Sequence, residues 1–240
     1  MATLLMRLVG PMQFWDKSSR FDARGTGREP TKSGVLGILV AALGIDRSDW
    51  TNLEPIAHLA FGVRNDRPGT PAKDYQTAGR ANADTIARAD GSQARAGSGM
   101  AMRHYLADAA FLVGMEGPDD GLLKRIHDSL QNPASPLALG LQAYIPAQPL
   151  WLPDHLHPVQ EGPLYHVLTH QPWIATRRDR EPIPERLRLT WESTDGTGVQ
   201  CMDQPLSSLA EPRFGVRLVH FEWIPFPGEA ADISSGIKQL

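Results

Sequence analysis

Very little in this 240-residue sequence supports a disulfide-bonded or membrane-embedded protein. There is one cysteine, Cys201, which excludes an intrachain disulfide and a cysteine-rich zinc site. The longest apolar run, residues 35–43, is much shorter than the roughly 18 residues that a membrane span needs. The N-terminus shows no basic segment followed by an apolar stretch and a cleavage site, so we expect no secretion signal. We therefore expect a globular, cytoplasmic protein.

The sequence also lacks a strong net charge, because the formal value is -3 at pH 7. The charges are unevenly distributed. Residues 1–104 contain 14 Lys and Arg against 10 Asp and Glu, whereas residues 105–240 contain 10 against 17. This distribution permits a basic face on an acidic body, which is one requirement of a nucleic-acid-binding protein.

The N-terminal region contains two strongly apolar segments. Residues 3–9 predict a buried strand that ends at the turn Gly10-Pro11. Residues 33–43 predict a buried helix, with Thr31 or Ser33 as the N-cap and Gly44 as the C-terminal stop.

Further elements follow from hydrophobic periodicity. Residues 56–64 and 105–113 alternate as strands do, and residues 120–130 carry apolar positions at helical spacing after the Asp119-Asp120 cap. A short final strand is expected within residues 139–145. The resulting order, strand, helix, strand, strand, helix, strand, predicts an α+β fold with a ferredoxin-like (RRM-like) domain.

Residues 1–150 form this predicted RNA-binding domain, interrupted by a long thumb-like insertion at about residues 66–103. The insertion is rich in glycine and shows little apolar periodicity, so it is either a partner-binding arm or disordered. Residues 151–240 are expected to form a smaller β-rich C-terminal region. Its strands are predicted at residues 186–193 and 214–224, with a hairpin turn at Asp195-Gly196.

Residues 25–34, GTGREPTKSG, resemble a P-loop without satisfying its pattern. Thr31 stands where the pattern requires glycine before Lys32-Ser33, so nucleotide hydrolysis is not expected. A lysine, hydroxyl groups and a helix N-terminus are nevertheless the ingredients of anion binding. A plain helix cap with an exposed lysine explains the segment equally well, and both interpretations stay open.

Two histidine motifs contain residue types that can carry chemistry. His155 and His157 have no third ligand in view and are flanked by prolines, so no metal site is expected. His104, with Lys73 nearby, could provide acid and base for metal-free RNA cleavage. The simpler interpretation is a solvated His104, with Tyr75 and Tyr105 packing or serving as stacking platforms for bases.

Four segments carry a family resemblance: MRLVGPMQFWD with the following residues to Asp49, VRNDRPG with DYQTAG, YLADAAF, and QNPASPLALG. In order and spacing they resemble the CasD family, a subunit of the type I-E CRISPR surveillance complex Cascade. The resemblance covers roughly the first 150 residues. The chain departs from the family pattern at Gln76, where histidine is common, and at Leu141 and Gln142, where arginines are common.

The resemblance implies a non-catalytic subunit without a cofactor or metal. It implies binding of the 5′ handle of the guide RNA, a thumb that reaches a CasC-type backbone subunit, and contact with a CasA-type large subunit. The alternative is a metal-independent endoribonuclease that processes CRISPR repeat RNA, as relatives in type I-C systems do. Motif chemistry and resemblance together give the expected RNA contacts: Gly10, Gln13, Arg20, Arg24, Lys32, Ser33, Arg64, Tyr75, Arg103, Tyr105 and Gly140.

Overall fold

A computed structural model describes residues 1–15, 23–24, 26–78, 86–87, 93–94, 99–177 and 181–228. The strands are β1 Ala2–Val9, β2 Met12–Gln13, β3 Ala23–Arg24, β4 Ala60–Arg67, β5 Thr70–Ala78, β6 Ile86–Ala87, β7 Gln93–Ala94, β8 Gly99–Ala107, β9 Ala110–Gly117, β10 Val159–Glu161, β11 Arg186–Glu192, β12 Val199–Pro205 and β13 Phe214–Pro225. The helices are α1 Lys32–Leu43, α2 Trp50–Ala57, α3 Asp120–Gln131 and α4 Leu164–His170, with a 3-10 turn at Asp154–Leu156.

The described fold is α+β and centres on one seven-stranded sheet in the order β10-β1-β9-β4-β11-β13-β12. Every neighbouring pair in this sheet is antiparallel. Alternation along β1 sends side chains to two layers. Leu4 and Met6 belong to the core that contains residues of α1 and α3, whereas Leu5 joins the core beneath α4. The sheet is therefore covered by helices on both faces.

The first strand and two helices were predicted correctly. Thr31 caps α1 by accepting a hydrogen bond from the Gly34 amide at 3.2 Å, and Gly44 ends it with φ of +67°. Asp119 caps α3 through the Leu122 amide at 3.1 Å. Local sequence signals are sufficient at these positions because each cap is made within three or four residues.

Three predicted strands are corrected. Residues 56–57 end helix α2, whose Leu53 and Ile56 lie at helical spacing. Residues 105–113 belong to two strands, β8 and β9, which are separated by a turn at Asp108 with φ of +60°. Residues 139–145 are irregular, and the strand that pairs with the outer edge of β1 is β10. The turn at Asp108 needs no glycine, because aspartate tolerates a positive φ better than most residues. The sequence therefore contains no glycine that would have marked this turn.

The C-terminal strands extend the same sheet. Strand β11 pairs with β4, with Thr190 opposite Val63, and β13 lies between β11 and β12. The predicted Asp195-Gly196 hairpin is therefore wrong as a pairing, because β11 and β12 are not neighbours. The sheet draws strands from both sides of the predicted boundary at residue 150.

A second sheet is built mainly from the predicted insertion. Strands β5 and β8 pair from Thr70 opposite Ala107 to Ala78 opposite Gly99, and β2 and β3 pair with the other edge of β8. We call the β5–β8 pair the arm. The first and last parts of the predicted thumb, β5 and β8, thus pair as antiparallel strands. Within the described residues, no helix is both long and apolar enough to cross a lipid bilayer.

Candidate nucleic-acid interface

The arm leaves the body beside two glycines that allow close backbone packing, a region that we call the glycine corner (Gly10 and Gly140). A Cβ atom on Gly10 would lie 2.6 Å from Leu139 Cδ1. A Cβ atom on Gly140, whose φ is +95°, would lie 1.9 Å from the Phe14 carbonyl oxygen. The segment after α3 can therefore hydrogen-bond to the chain beyond β1, through the Phe14 amide and the Leu139 carbonyl oxygen at 3.0 Å.

Gln13 holds this corner from inside the protein. Its side-chain amide donates to the carbonyl oxygens of Leu8 and Ala109 at 3.1 and 2.8 Å, and its Oε1 accepts from the Trp15 indole at 3.1 Å. The Gln13 side chain is fully buried. It ties β2 to the backbone at Leu8 and Ala109, and its burial differs from the direct RNA contact predicted from the sequence.

One face of the arm carries Tyr105 and Arg103, with Asp74 directly opposite Arg103. The ring of Tyr105 lies 6.0 Å from that of Tyr144, measured between centroids. The Tyr144 hydroxyl is buried and has no hydrogen-bond partner among the described residues. Burial, with a further contribution from the Asp74 charge, raises the pKa of Tyr144, so this hydroxyl stays protonated and can donate.

The opposite face of the arm is more exposed. Tyr75 is 60% exposed and lies directly opposite Met102, which is 44% exposed. One step nearer the body, the exposed Lys73 stands opposite His104. Tyrosine, methionine and a lysine on one strand face are suited to stacking and phosphate contacts along an extended strand.

Lys32 occupies an internal site instead. Its ammonium donates to Glu192 at 3.0 Å and to the Gln204 side chain at 2.7 Å, and the residue is only 1% exposed. Burial lowers the pKa of Lys32, whereas Glu192 acts in the opposite direction. The helix start is also filled, because the Lys32 amide donates to Asp203 at 2.9 Å. The anion at this helix N-terminus is therefore the protein's own carboxylate.

Asp203 is fixed by Arg217, whose Nε and Nη2 donate to it at 2.6 and 3.0 Å. Burial alone would raise the pKa of Asp203, but the hydrogen bonds and charge of Arg217 lower it below the ordinary aspartate range. Ser33 is half-buried beside Thr31. This arrangement supports the helix-cap interpretation of the Lys32 segment over the anion-binding one, but the lysine is buried and not exposed as that interpretation expected.

Arg64 differs from its predicted role in the same way. It is fully buried, and each of its five N–H groups has an acceptor: Asp66 through both carboxylate oxygens, and the carbonyl oxygens of Leu168, Gln171 and Pro172. Such a guanidinium has no donor left for RNA. Arg64 joins β4 to the segment after α4 and is a structural residue.

The structure does not place the side chains of the other two predicted arginines, Arg20 and Arg24. Arg24 lies on β3, and its backbone pairs beside Arg103 on β8. Arg20 lies outside the described residues. The structure thus brings together Gly10, Gln13, Gly140, Tyr105 and the base of the arm, and it separates Lys32 and Arg64 from them.

The family comparison agrees with this architecture over most of its length. A family model described as CRISPR-associated protein (Cas_Cas5) matches residues 3–220. The chain belongs to the Cas5 family. Over 116 residues it is 36% identical to the CRISPR system Cascade subunit CasD of Escherichia coli strain K12, which is 47% of this chain and 52% of that relative. The match spans about half the length of this curated relative.

Solved structures extend the similarity of this Cas5 family member to nearly the whole chain. One, titled as the crystal structure of a Cas protein, is 38% identical with a TM-score of 0.72 and covers 95% of this chain and 98% of its own. Another, titled as a CRISPR RNA-guided surveillance complex, is 29% identical with a TM-score of 0.73. It covers 94% of this chain and 91% of its own.

Sequence reasoning missed three residues of this Cas5 chain that shape the region. Tyr144 lies in a segment whose sequence predicts a strand, and no local pattern marks it as the partner of Tyr105. Asp203 and Arg217 close the helix start from strands more than 170 residues away in the sequence. The described residues contain no group of three or more His, Cys, Asp or Glu that could hold a metal ion.

We expect Lys32→Met to lower the free energy of unfolding by about 1–2 kcal/mol, because it leaves Glu192 without its ammonium partner. The effect is limited because Glu192 is partly exposed and keeps the Phe61 amide as a donor. Lys73→Met is the matched control, since Lys73 is exposed on the arm. Denaturant unfolding measures both. Equal stability of the two variants would contradict the structural role of Lys32.

Proposed function

We propose that this protein is a non-catalytic subunit of a type I-E CRISPR surveillance complex in the cytoplasm, where it holds the 5′ handle of the guide RNA. The observation that carries the proposal is the arm, a hairpin with exposed Tyr75 that leaves the body at the glycine corner. The Cas5 family membership and the similarity to Cascade subunit CasD support it. CasC-type backbone subunits and a CasA-type large subunit are the proposed protein partners.

We further propose that residues 1–161 contain a ferredoxin-like core. In chain order it comprises β1, α1, β4, β9, α3 and β10, and its strands stand in the order β10-β1-β9-β4. This interleaved order agrees with a split βαβ arrangement. In it the arm is an insertion between the second and third core strands, which suits a projecting contact with another subunit.

Most of the proposed RNA contacts lie on the arm. Tyr75 would stack on a base, Lys73 and Arg103 would contact phosphates, and Tyr105 would stack with support from Tyr144. Arg24 remains a proposed phosphate contact because its backbone runs alongside that of Arg103. Gly10, Gln13 and Gly140 would act indirectly, by fixing the surface from which the arm projects.

The direct test measures the affinity of the purified chain for a guide RNA with its 5′ handle at physiological salt. We expect Tyr75→Ala to weaken binding about tenfold, because base–aromatic stacking contributes about 1–3 kcal/mol. Tyr165→Ala is the matched control, since Tyr165 is a 40% exposed tyrosine on α4. Equal affinity for a guide RNA without its handle, or an unchanged affinity of the Tyr75 variant, would count against the proposal.

Complex membership is tested separately by pull-down from cells that express the complete CRISPR system. We expect the tagged chain to recover guide RNA together with backbone and large subunits. Recovery of the chain without RNA or other subunits would exclude the scaffold role.

One observation favours a second candidate, a metal-independent repeat endoribonuclease. Lys73 and His104 are directly opposite on adjacent strands, a separation at which an ammonium and an imidazole can act on the same phosphate. Incubation of the purified chain with repeat RNA and a chelator distinguishes the two functions. We expect no cleavage, whereas specific cleavage that His104→Ala abolishes would establish the enzyme.

A further inference from the structure

A second group of exposed aromatic side chains lies on the C-terminal strands, far along the sheet from β1. Phe221 and Trp223 of β13 are 55% and 63% exposed. They are two residues apart on one strand, so their side chains share a face at a spacing of about 7 Å. Arg188 on β11 stands opposite Trp223, and its guanidinium carbon lies 5.4 Å from the centre of the Phe221 ring. We call these three residues the Phe221 patch.

A cavity of about 140 Å³ adjoins the patch, with Phe221, Arg188 and Val199 in its lining. Arg217 also lines this cavity and is only 7% exposed. Two of its nitrogens are bonded to Asp203, but Nη1 is buried and has no hydrogen-bond partner among the residues that the structure describes. Because Nη1 is also closed off from the cavity, Arg217 borders the cavity but offers a ligand no free donor.

The charges that border the cavity are largely compensated. Asp203 compensates the Arg217 guanidinium, and Glu29 lies 3.9 Å from Arg188 and also accepts from the Thr190 hydroxyl. Both arginines at the cavity therefore have a carboxylate nearby, so a free phosphate ion is not the expected occupant.

We infer that the Phe221 patch binds single-stranded nucleic acid, with successive bases stacking on Phe221 and Trp223. Two aromatic faces in a row provide stacking platforms for successive bases, and stacking tolerates any sequence. Arg188 and Arg186 occupy alternate positions on β11, on the side of the sheet that carries the aromatic rings, and complement the phosphates that accompany the bases. This surface is separate from the arm, and the inference does not rest on handle binding there.

The salt dependence of binding at the Phe221 patch is expected to be weak. Because only Arg186 and Arg188 are proposed to contact phosphates, few counterions are released when a strand binds there. Affinity at the patch should come mainly from stacking and should depend weakly on ionic strength.

The test uses the full chain and labelled single-stranded RNA and DNA of about ten nucleotides that contain no repeat sequence. We expect Phe221→Ala with Trp223→Ala to weaken binding by tenfold or more, as the loss of two stacking faces predicts. Trp223→Phe keeps a ring and should retain most of the affinity. Phe214→Ala is the matched control, since Phe214 is a 43% exposed phenylalanine at the other end of the same strand. Binding of either strand type supports the inference, and an RNA preference would assign part of the contact to the 2′-hydroxyl.

Three results would overturn the inference: no binding by the wild-type chain, equal affinity of the double variant, or an equal loss with Phe214→Ala. The patch would be a protein interface if the double variant kept its oligonucleotide affinity but lost other subunits in a pull-down. Repeating the titration with Tyr75→Ala separates the two surfaces. If that change alone removes all binding, the patch inference fails and the arm proposal stands.

Discussion

Arg64→Ala is expected to lower the free energy of unfolding by about 3–5 kcal/mol, a large fraction of the roughly 5–15 kcal/mol that an ordinary domain has. The substitution removes five hydrogen bonds and leaves the Asp66 carboxylate buried without its cation. Both side chains of this pair are fully buried, with a nitrogen–oxygen distance of 2.6 Å. Denaturant unfolding, followed by tryptophan fluorescence, measures the loss.

The size of this effect comes from desolvation more than from attraction. A buried ion pair contributes little relative to a well-packed apolar pair, but removal of one partner leaves an uncompensated charge in a medium that solvates it poorly. Asp66 also accepts from the Ile174 amide at 2.8 Å, so its movement would disturb the segment after α4. Arg64→Lys should recover only part of the stability, because a lysine cannot reproduce the planar set of five donors.

Arg67→Ala is the control for Arg64→Ala. Arg67 lies on the same strand and pairs with Glu181 at 2.6 Å, but the side chains of this pair are 12% and 22% exposed. We expect a smaller loss of about 1–2 kcal/mol, because three hydrogen bonds are lost but the remaining Glu181 carboxylate is partly exposed to solvent. A loss as large as that of Arg64→Ala, or an intact fold with weakened RNA binding in Arg64→Ala, would show that Arg64 has the direct RNA role predicted from the sequence.

Gly140→Ala is expected to lower the free energy of unfolding by about 3 kcal/mol and to weaken guide RNA binding. The added Cβ would lie 1.9 Å from the Phe14 carbonyl oxygen, which is backbone and cannot rotate away. The segment after α3 must therefore move from the glycine corner, and Tyr144, four residues later, must move with it. Tyr105 would then lose its aromatic neighbour at the base of the arm.

Gly196→Ala separates backbone strain from the clash. Gly196 has a φ of +76°, but no atom lies within 4 Å of the position that its Cβ would take. We expect this control to cost about 1 kcal/mol from strain alone and to leave RNA affinity unchanged. Thermal unfolding and RNA titration of both variants check the prediction. Matching results for the two glycines would mean that the glycine corner does not organise the interface.

The sequence by itself determined the locally encoded parts of this protein. The caps of α1 and α3 follow from residues within one turn of each helix start, and the alternation along residues 186–192 defines β11. The segments that resemble CasD were sufficient to predict the family, which the match over residues 3–220 confirms. These signals succeed because hydrogen bonds within a few residues, or a long ordered set of motifs, produce them.

Only the tertiary structure decided which of the predicted cationic contact residues are buried. Nothing in the sequence distinguishes Lys32 and Arg64 from exposed cations. In the structure, Lys32 is buried against Glu192 and Gln204, which are about 160 or more residues away in the sequence. Arg64 is buried and paired with Asp66. The sequence likewise gave no indication that β13 lies between β11 and β12. Burial of a charge depends on which distant strands close over it, and a single sequence without its pairings carries no local signal of that closure.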